Sequence, residues 1–203
     1  MPMSFVCRPA RADDAAVCAP LVFASGEPEF GFMLGVPAEA CIDFLAGGFR
    51  SRHGRFSFRR HRVVVNDDNE VCSVMAIHEG GRVALDDVVL AWHVWRHFGV
   101  MRAIGILTRG ARLATELPAP ARGQSLIAHC ATRPEWRSRG ALTTLMNDVL
   151  KRGGQQFVLD VRLENHGAIA LYRRLGFQPM ERKRARHPRL PSAVVSERMS
   201  IGG

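Results

Sequence analysis

The feature that most constrains this chain is the alternation of strand-like and helix-like patterns between residues 125 and 176. Residues 125–132 have the composition of a strand. A helix is predicted next, because apolar residues then recur at offsets of 0, 3, 4, 7 and 8 and share one helical face. These residues are Leu142, Leu145, Met146, Val149 and Leu150. The glycines at 153 and 154 are expected to end this helix.

The same alternation is repeated once. Residues 157–161 form an almost continuous apolar run, which is typical of a central strand covered on both faces. A second amphipathic helix is indicated by Ala168, Leu171, Tyr172 and Leu175, and Gly176 is expected to stop it. The order strand, helix, strand, helix predicts a mixed α/β (α+β) fold.

The first half of the chain adds strands and helices to this unit. Residues 5–8 predict an opening strand, Asp13 an N-cap, and Pro20 a kink or split in the helix that starts near Ala15. A short helix is predicted at 38–45. Two β-branched runs, 62–65 and 71–77, flank a polar turn and predict an antiparallel hairpin.

A helical pair is predicted as an insertion at 86–117, with Gly99 between its two helices. Its Trp92 and Trp95 are consistent with a pocket wall, a dimer face or simple packing, and packing is the default expectation. Closing strands are expected at 177–181 and 193–201.

Composition limits the classes of protein to consider. With 203 residues, 47% hydrophobic and 23% charged, residues 1–203 are expected to form one domain. No apolar run approaches the ~20 residues that cross a bilayer, and no secretory signal is recognisable. Five widely spaced cysteines without a CxxC pair or a zinc-like histidine cluster suggest buried thiols in a reducing cytoplasm and no metal site.

The net charge of +9 comes almost entirely from arginine, since only two of the 28 basic residues are lysines. A guanidinium group binds phosphate oxygens bidentately, so the charge favours phosphate-bearing ligands. A nucleic-acid-binding role is the third-ranked interpretation. It depends on the basic cluster at 182, 183, 184, 186 and 189, which no recognition motif accompanies.

The segment most suggestive of chemistry lies between the strand at 125–132 and the first helix. Backbone N–H groups in the first turn of a helix have no internal partners and can bind phosphate oxygens. The segment consists of Arg137, Ser138, Arg139, Gly140, Ala141, Leu142 and Thr143. Alone, this pattern also occurs in proteins that bind nothing there.

Two motifs together resemble the GNAT superfamily, the GCN5-related N-acetyltransferases. The loop from Arg137 to Leu142 is similar to the family's Arg/Gln-x-x-Gly-x-Gly/Ala motif, and Leu142 stands where the family has Gly or Ala. About 25 residues downstream, a second signature is similar to the family's Asn-x-x-Ala-x-x-Leu-Tyr-x-x-x-Gly-Phe pattern. It consists of Asn165, Ala168, Leu171, Tyr172, Gly176 and Phe177. The resemblance is firm over 125–180.

This resemblance implies a central, mostly antiparallel mixed sheet flanked by helices and splayed where acetyl-CoA enters. It implies that main-chain groups of Cys130, Ala131 and Thr132 bind pantetheine like an added strand. The pyrophosphate is then expected on residues 137–143. Asn165 is expected to bind the pantetheine arm, to cap the helix, or both, with Ala168 beside it.

The resemblance further implies acetyl transfer to a primary amine by direct attack in a ternary complex. Tyr172 is expected to protonate the departing thiolate, with core packing as its alternative role. His129 is a candidate general base, or equally a hydrogen-bonded core histidine. Cys130 is interpreted as packing.

The acceptor side is hardly defined by the sequence. Glu27 and Glu29 are candidates to attract a cationic amine, or else form a solvated pair. The acceptor is a small molecule or a protein terminus, and a homodimer is an open option. The main rival to an enzyme is a regulatory module that binds acyl-CoA without turning it over.

Overall fold

The protein is described here by a computed structural model that covers residues 5–81, 83–151, 153, 156–181 and 186–202, with backbone alone at 83 and 84. Its centre is a seven-stranded sheet. The strands are β1 Val6–Pro9, β2 His61–Val65, β3 Val71–Glu79, β4 Gln124–Thr132, β5 Gln156–Arg162, β6 Gln178–Pro179 and β7 Ser196–Ile201. The helices are α1 Ala15–Ser25, α2 Glu27–Leu34, α3 Ala38–Arg50, α4 Val83–Leu113, α5 Ala141–Leu150 and α6 His166–Arg174.

The strand order is β1-β2-β3-β4-β5-β7-β6, and every neighbouring pair is antiparallel except β4 and β5. The predicted mixed, mostly antiparallel sheet is therefore confirmed. The parallel pair joins the strands that precede α5 and α6, because the connection through α5 returns the chain to the same end of the sheet.

Hydrophobic side chains pack on both faces of the sheet. Because side chains alternate along a strand, Val63 and Val65 contribute to one cluster and Val64 to the other. Helices α1 to α4 cover the first face, and α5 and α6 cover the second. The apolar face predicted for α5 is confirmed, since Leu145, Met146 and Val149 are fully buried there.

The first helix differs from its prediction in two ways. The residue at its N-cap is Asp14 and not Asp13, and the Asp14 carboxylate accepts hydrogen bonds from the Arg11 N–H and the Arg8 guanidinium. Pro20 does not split α1, which continues through it to Ser25. Buried Leu21, Val22 and Phe23 keep the helix packed, and this tertiary contact outweighs the hydrogen bond lost at the proline.

The predicted insertion is confirmed as two helices, since Gly99 interrupts α4 with non-helical angles (φ 76°, ψ 165°). The expectation that the two tryptophans of this insertion pack in the core is wrong. Trp92 and Trp95 are more than half exposed, because the buried side of the helix carries Asp86 and Val94 instead. Helix α3 also extends beyond its predicted end, to Arg50.

Among the described residues, no single helix has the length and hydropathy of a membrane span. Only α2 and α3 together pass such a test, and they are bent by 93° to each other. The glycine at 154 and the basic cluster members at 182, 183 and 184 lie outside the described residues.

Candidate active site

The loop before α5 presents backbone donors to solvent. Ser138 and Gly140 have positive φ values, 59° and 88°, which turn the chain sharply into the helix. The first helical hydrogen bond is donated by the Thr144 N–H to the Gly140 carbonyl at 2.8 Å. The N–H groups of residues 141–143 therefore have no acceptor within the helix, and the helix dipole adds positive potential there.

Strands β4 and β5 separate above this loop. Their pairing runs only from Gln124 opposite Gln156 to Ile127 opposite Leu159, although β4 continues to Thr132 and β5 to Arg162. The predicted splay of the sheet is thus present, and it leaves the end of β4 without a strand on that side.

A cavity of about 1010 Å³ enters this gap. On the α5 side it is lined by Arg137, Ser138, Gly140, Ala141, Leu142 and Thr143. From the splayed strands and α6 it is lined by His129, Cys130, Ala131, Thr132, Asn165, Ala168 and Tyr172. All the predicted catalytic and cofactor-binding residues except Arg139 thus line one cavity, and of the two acceptor-side candidates Glu29 lines it and Glu27 does not. The Arg139 guanidinium instead lies over the Trp136 ring, 5.4 Å from its centroid.

Tyr172 projects from α6 into this cavity, and its side chain is 6% exposed. Its phenol lies beside the Cys130 thiol on β4, which itself donates to the Ala128 carbonyl oxygen at 3.8 Å. Burial, together with this neighbour, raises the pKa of Tyr172 well above its ordinary value of 10.0. The phenol is therefore protonated at every physiological pH. Burial raises the pKa of Cys130 to about 12, so its thiol is inert at neutral pH and agrees with a packing role.

Asn165 caps α6, since its Oδ1 accepts a hydrogen bond from the Ala168 N–H at 3.1 Å. The cap occupies only the amide oxygen. The Nδ2 group remains a donor on a residue that lines the cavity, so the two roles expected for Asn165 are compatible.

His129 lies on a bulge in β4. Val74 pairs with Ala131 and Ala76 with Ala128, so Met75 alone faces both His129 and Cys130. His129 itself has a positive φ of 53°, which is rare for a residue with a side chain. The bulge shifts the alternation of faces, so that the His129 ring packs against Phe30 and Phe56 on the first face and Cys130 packs on the second, and the cavity is lined by both.

The His129 ring is enclosed by other rings. It lies edge to edge with His61, nearly coplanar, at a centroid distance of 5.3 Å, stacks on Phe56 at 5.6 Å, and has His78 edge-on at 5.7 Å. Burial, reinforced by the nearby His61, His78 and Arg55, lowers the pKa of His129 well below 6.5. The imidazole is consequently neutral at pH 7, with one nitrogen able to accept a proton.

Three polar side chains complete the far side of the cavity, Glu29 on α2, Arg55 and His78. Glu29 Oε2, Arg55 Nε and His78 Nδ1 are all buried and make no hydrogen bond within the described part of the chain. Burial raises the pKa of Glu29 and lowers that of His78 to about 3. Sequence reasoning singled out Glu29 but missed Arg55 and His78, for which no motif gives a signal.

Comparison with known proteins places this geometry in context. The model of the acetyltransferase (GNAT) family matches residues 48–177. An N-acetyltransferase from Staphylococcus aureus Mu50 superimposes with a TM-score of 0.68 at 16% identity, over 97% of this chain and 100% of that one.

Two further solved structures have the same fold. One, described as an acetyltransferase, gives a TM-score of 0.65 at 18% identity, covering 96% of this chain and 97% of its own. The other is a polyamine N-acetyltransferase from Drosophila melanogaster, with a TM-score of 0.54, 14% identity and coverage of 98% and 99%. At such identities these structures support the fold alone. The comparison with curated proteins gives no match.

Proposed function

The chain belongs to the GNAT acetyltransferase family, and from this premise we propose that it transfers the acetyl group of acetyl-CoA to a primary amine in a ternary complex. One observation carries the proposal. The gap between β4 and β5 opens one cavity that is lined both by the N-terminus of α5 and by the buried phenol of Tyr172.

The cavity has the donors that acetyl-CoA requires. The free N–H groups of residues 141–143 suit the pyrophosphate, with Arg137 and Thr143 beside them. The unpaired edge of β4 at Cys130, Ala131 and Thr132 suits the pantetheine amides, as an added strand would. Trp136 Nε1, a donor buried on the cavity wall, has no partner among the described residues and fits an oxygen of the ligand. Leu142 packs partly against the second hydrophobic cluster and also lines the cavity, so it makes the wall beside these donors apolar.

The chemistry follows from the protonation states of two side chains. The amine nitrogen attacks the acetyl carbonyl, a C–N bond forms and the C–S bond breaks. His129, which is neutral, accepts the proton that the nitrogen loses, and Tyr172 donates a proton to the departing sulfur. The products are the N-acetylated amine and the free thiol, and solvent returns both side chains to their starting states.

His129 is suited to a late proton transfer. Its depressed pKa makes it a weak base, unable to deprotonate a free alkylammonium ion to any large extent. The nitrogen becomes far more acidic once it has bonded to the carbonyl carbon. We therefore infer that the amine enters the attack as the neutral species and that its proton passes to His129 afterwards.

Glu29 supports an amine acceptor. Its carboxylate lines the cavity on the side of α2 and has a buried oxygen without a partner in the described structure. An ammonium group or a polar N–H of the acceptor would satisfy that oxygen. The acceptor is proposed to be a small molecule or a protein N-terminus. None of the five described cysteines forms a disulfide bond, and three of them are buried, which supports cytoplasmic action.

The test is thioester consumption across a panel of amines, measured as free thiol released from acetyl-CoA. We expect turnover with at least one primary amine and none with its N-acetylated form. Tight CoA binding without turnover by any amine or protein N-terminus would instead support the regulatory module. Absence of CoA binding would overturn the cofactor assignment.

A further inference from the structure

His61 and His129 are joined by a hydrogen bond whose direction the structure determines. His61 Nδ1 lies 2.8 Å from the carbonyl oxygen of Ser57, and His61 Nε2 lies 3.2 Å from His129 Nδ1. A carbonyl oxygen can only accept, so His61 Nδ1 must carry the hydrogen of the first bond.

The second bond follows from the first. Burial lowers the pKa of His61 to about 4, so at neutral pH this ring carries a single hydrogen. That hydrogen is on Nδ1, and Nε2 is therefore a lone-pair acceptor. His129 Nδ1 must then be the donor.

His129 Nε2 remains as the nitrogen with the lone pair. It has no hydrogen-bond partner in the described part of the chain and is not among the buried unpaired atoms, so it is open to the cavity that His129 lines. The two rings are nearly coplanar, at an interplanar angle of 12°, as an in-plane N–H···N bond requires, and Phe56 stacks on His129 at 28°.

We propose that His61 is a positioning residue: it fixes the tautomer of His129 so that Nε2 faces the cavity as a proton acceptor. This inference rests on the proposed function for its catalytic meaning, but the tautomer exists independently of any reaction. When His129 Nε2 accepts the proton of the acylated nitrogen, Nδ1–H still donates to His61, and the neutral ring of His61 stabilises the new imidazolium.

Charged and titratable groups from each neighbouring element act on this pair. His78 on β3 and Arg55, from the segment before β2, face His129 and disfavour its protonated form. Arg55 is itself paired with Asp87, and Arg60, which acts on His78, is paired with Asp86. The proton on His129 is thus held only transiently, as turnover requires.

The direct test is long-range ¹H–¹⁵N correlation NMR of the histidine-labelled wild-type protein at pH 7, without ligand. We expect both His61 and His129 to carry hydrogen on Nδ1 and to have an unprotonated Nε2. A hydrogen on His129 Nε2 would overturn the inference, whether or not the protein is active.

Two variants connect the tautomer to turnover. His61→Phe keeps a ring against Phe49, whose centroid lies 4.8 Å from that of His61, but cannot accept from His129. We expect mixed His129 tautomers and a fall in kcat of about tenfold, less than the range of about 10² to 10⁴ for a general base itself, because a fraction of His129 keeps the productive tautomer, with KM for acetyl-CoA unchanged. His61→Gln, whose Oε1 can accept in place of Nε2, should recover most of kcat.

The outcomes separate this inference from the proposed function. If the wild type shows the expected tautomer but no acetyl transfer, the function fails and the tautomer assignment stands. If the wild type transfers acetyl groups and folded His61→Phe does so at the same rate, His61 has no positioning role. If His61→Phe does not fold, His61→Gln and the wild-type spectrum still decide the question.

Discussion

The three histidines around the cavity should make the protein sensitive to mild acid. Burial lowers the pKa of His61 to about 4 and that of His78 to about 3, and it lowers the pKa of His129 well below 6.5. In the unfolded chain each would titrate near 6.5. Their contribution to stability is therefore complete above pH 6.5 and is lost as the pH falls towards the folded-state values.

The magnitude follows from linkage. Each histidine lowers the free energy of unfolding by about 1.4 kcal/mol for every pH unit below 6.5, as long as only the unfolded chain binds the proton. At pH 5 that amounts to about 2 kcal/mol for each of His61 and His78, or about 4 kcal/mol together, and His129 adds to the loss in the same direction. Since domains are stable by about 5–15 kcal/mol, such a loss is large.

Urea denaturation at pH 7 and pH 5, at constant ionic strength, measures this difference. In His78→Phe, which removes one buried titrating ring, the loss between the two pH values should shrink by about 2 kcal/mol. Exposed His53 offers a matched control, because His53→Asn should leave the pH dependence unchanged. Equal free energies of unfolding at pH 7 and pH 5 in the wild type would refute the reasoning.

Three further substitutions test the site itself. Tyr172→Phe should lower kcat by about 10² to 10⁴, the range of general-acid contributions, with CoA affinity near that of the wild type. If the variant and the wild type have the same kcat, the phenol is not the general acid. Gly140→Val forces a side chain onto a φ of 88° and should weaken CoA binding about tenfold by calorimetry, since the strain costs about 1–2 kcal/mol. Gly47→Ala, at a helical position with open space, is its control and should bind CoA normally. Glu29→Gln should raise KM for the amine about tenfold while KM for acetyl-CoA stays constant, as about 1.4 kcal/mol of interaction is lost. Glu27→Gln, exposed on the same helix, should change neither constant, and a similar effect in both variants would mean that only overall charge matters.

The sequence predicted those parts of the site that are contiguous in the chain. The loop before α5 and the signature on α6 were identified because helical periodicity and glycine positions are local properties. The same reasoning predicted the two helices on either side of Gly99 and the hairpin of β2 and β3.

What sequence reasoning missed depends on long-range geometry. His61 is 68 positions from His129, and only the register of β2, β3 and β4 brings the rings together. The bulge at His129 adds one residue to the strand, so a strict two-residue alternation could not decide which face His129 occupies. Whether Pro20 breaks α1 was likewise decided by packing, which the local pattern does not contain.

The divergence of β4 from β5 has a consequence for how occupancy can be observed. Backbone amides of residues 124–127 lie in the paired part of these strands, whereas the chain beyond Ile127 borders open space. In deuterium exchange, any guest that fills this opening should retard exchange at 128–132 and leave 124–127 unaltered. The exchange rate of these backbone amides therefore reports whether the cavity is occupied, and it can be measured without any turnover.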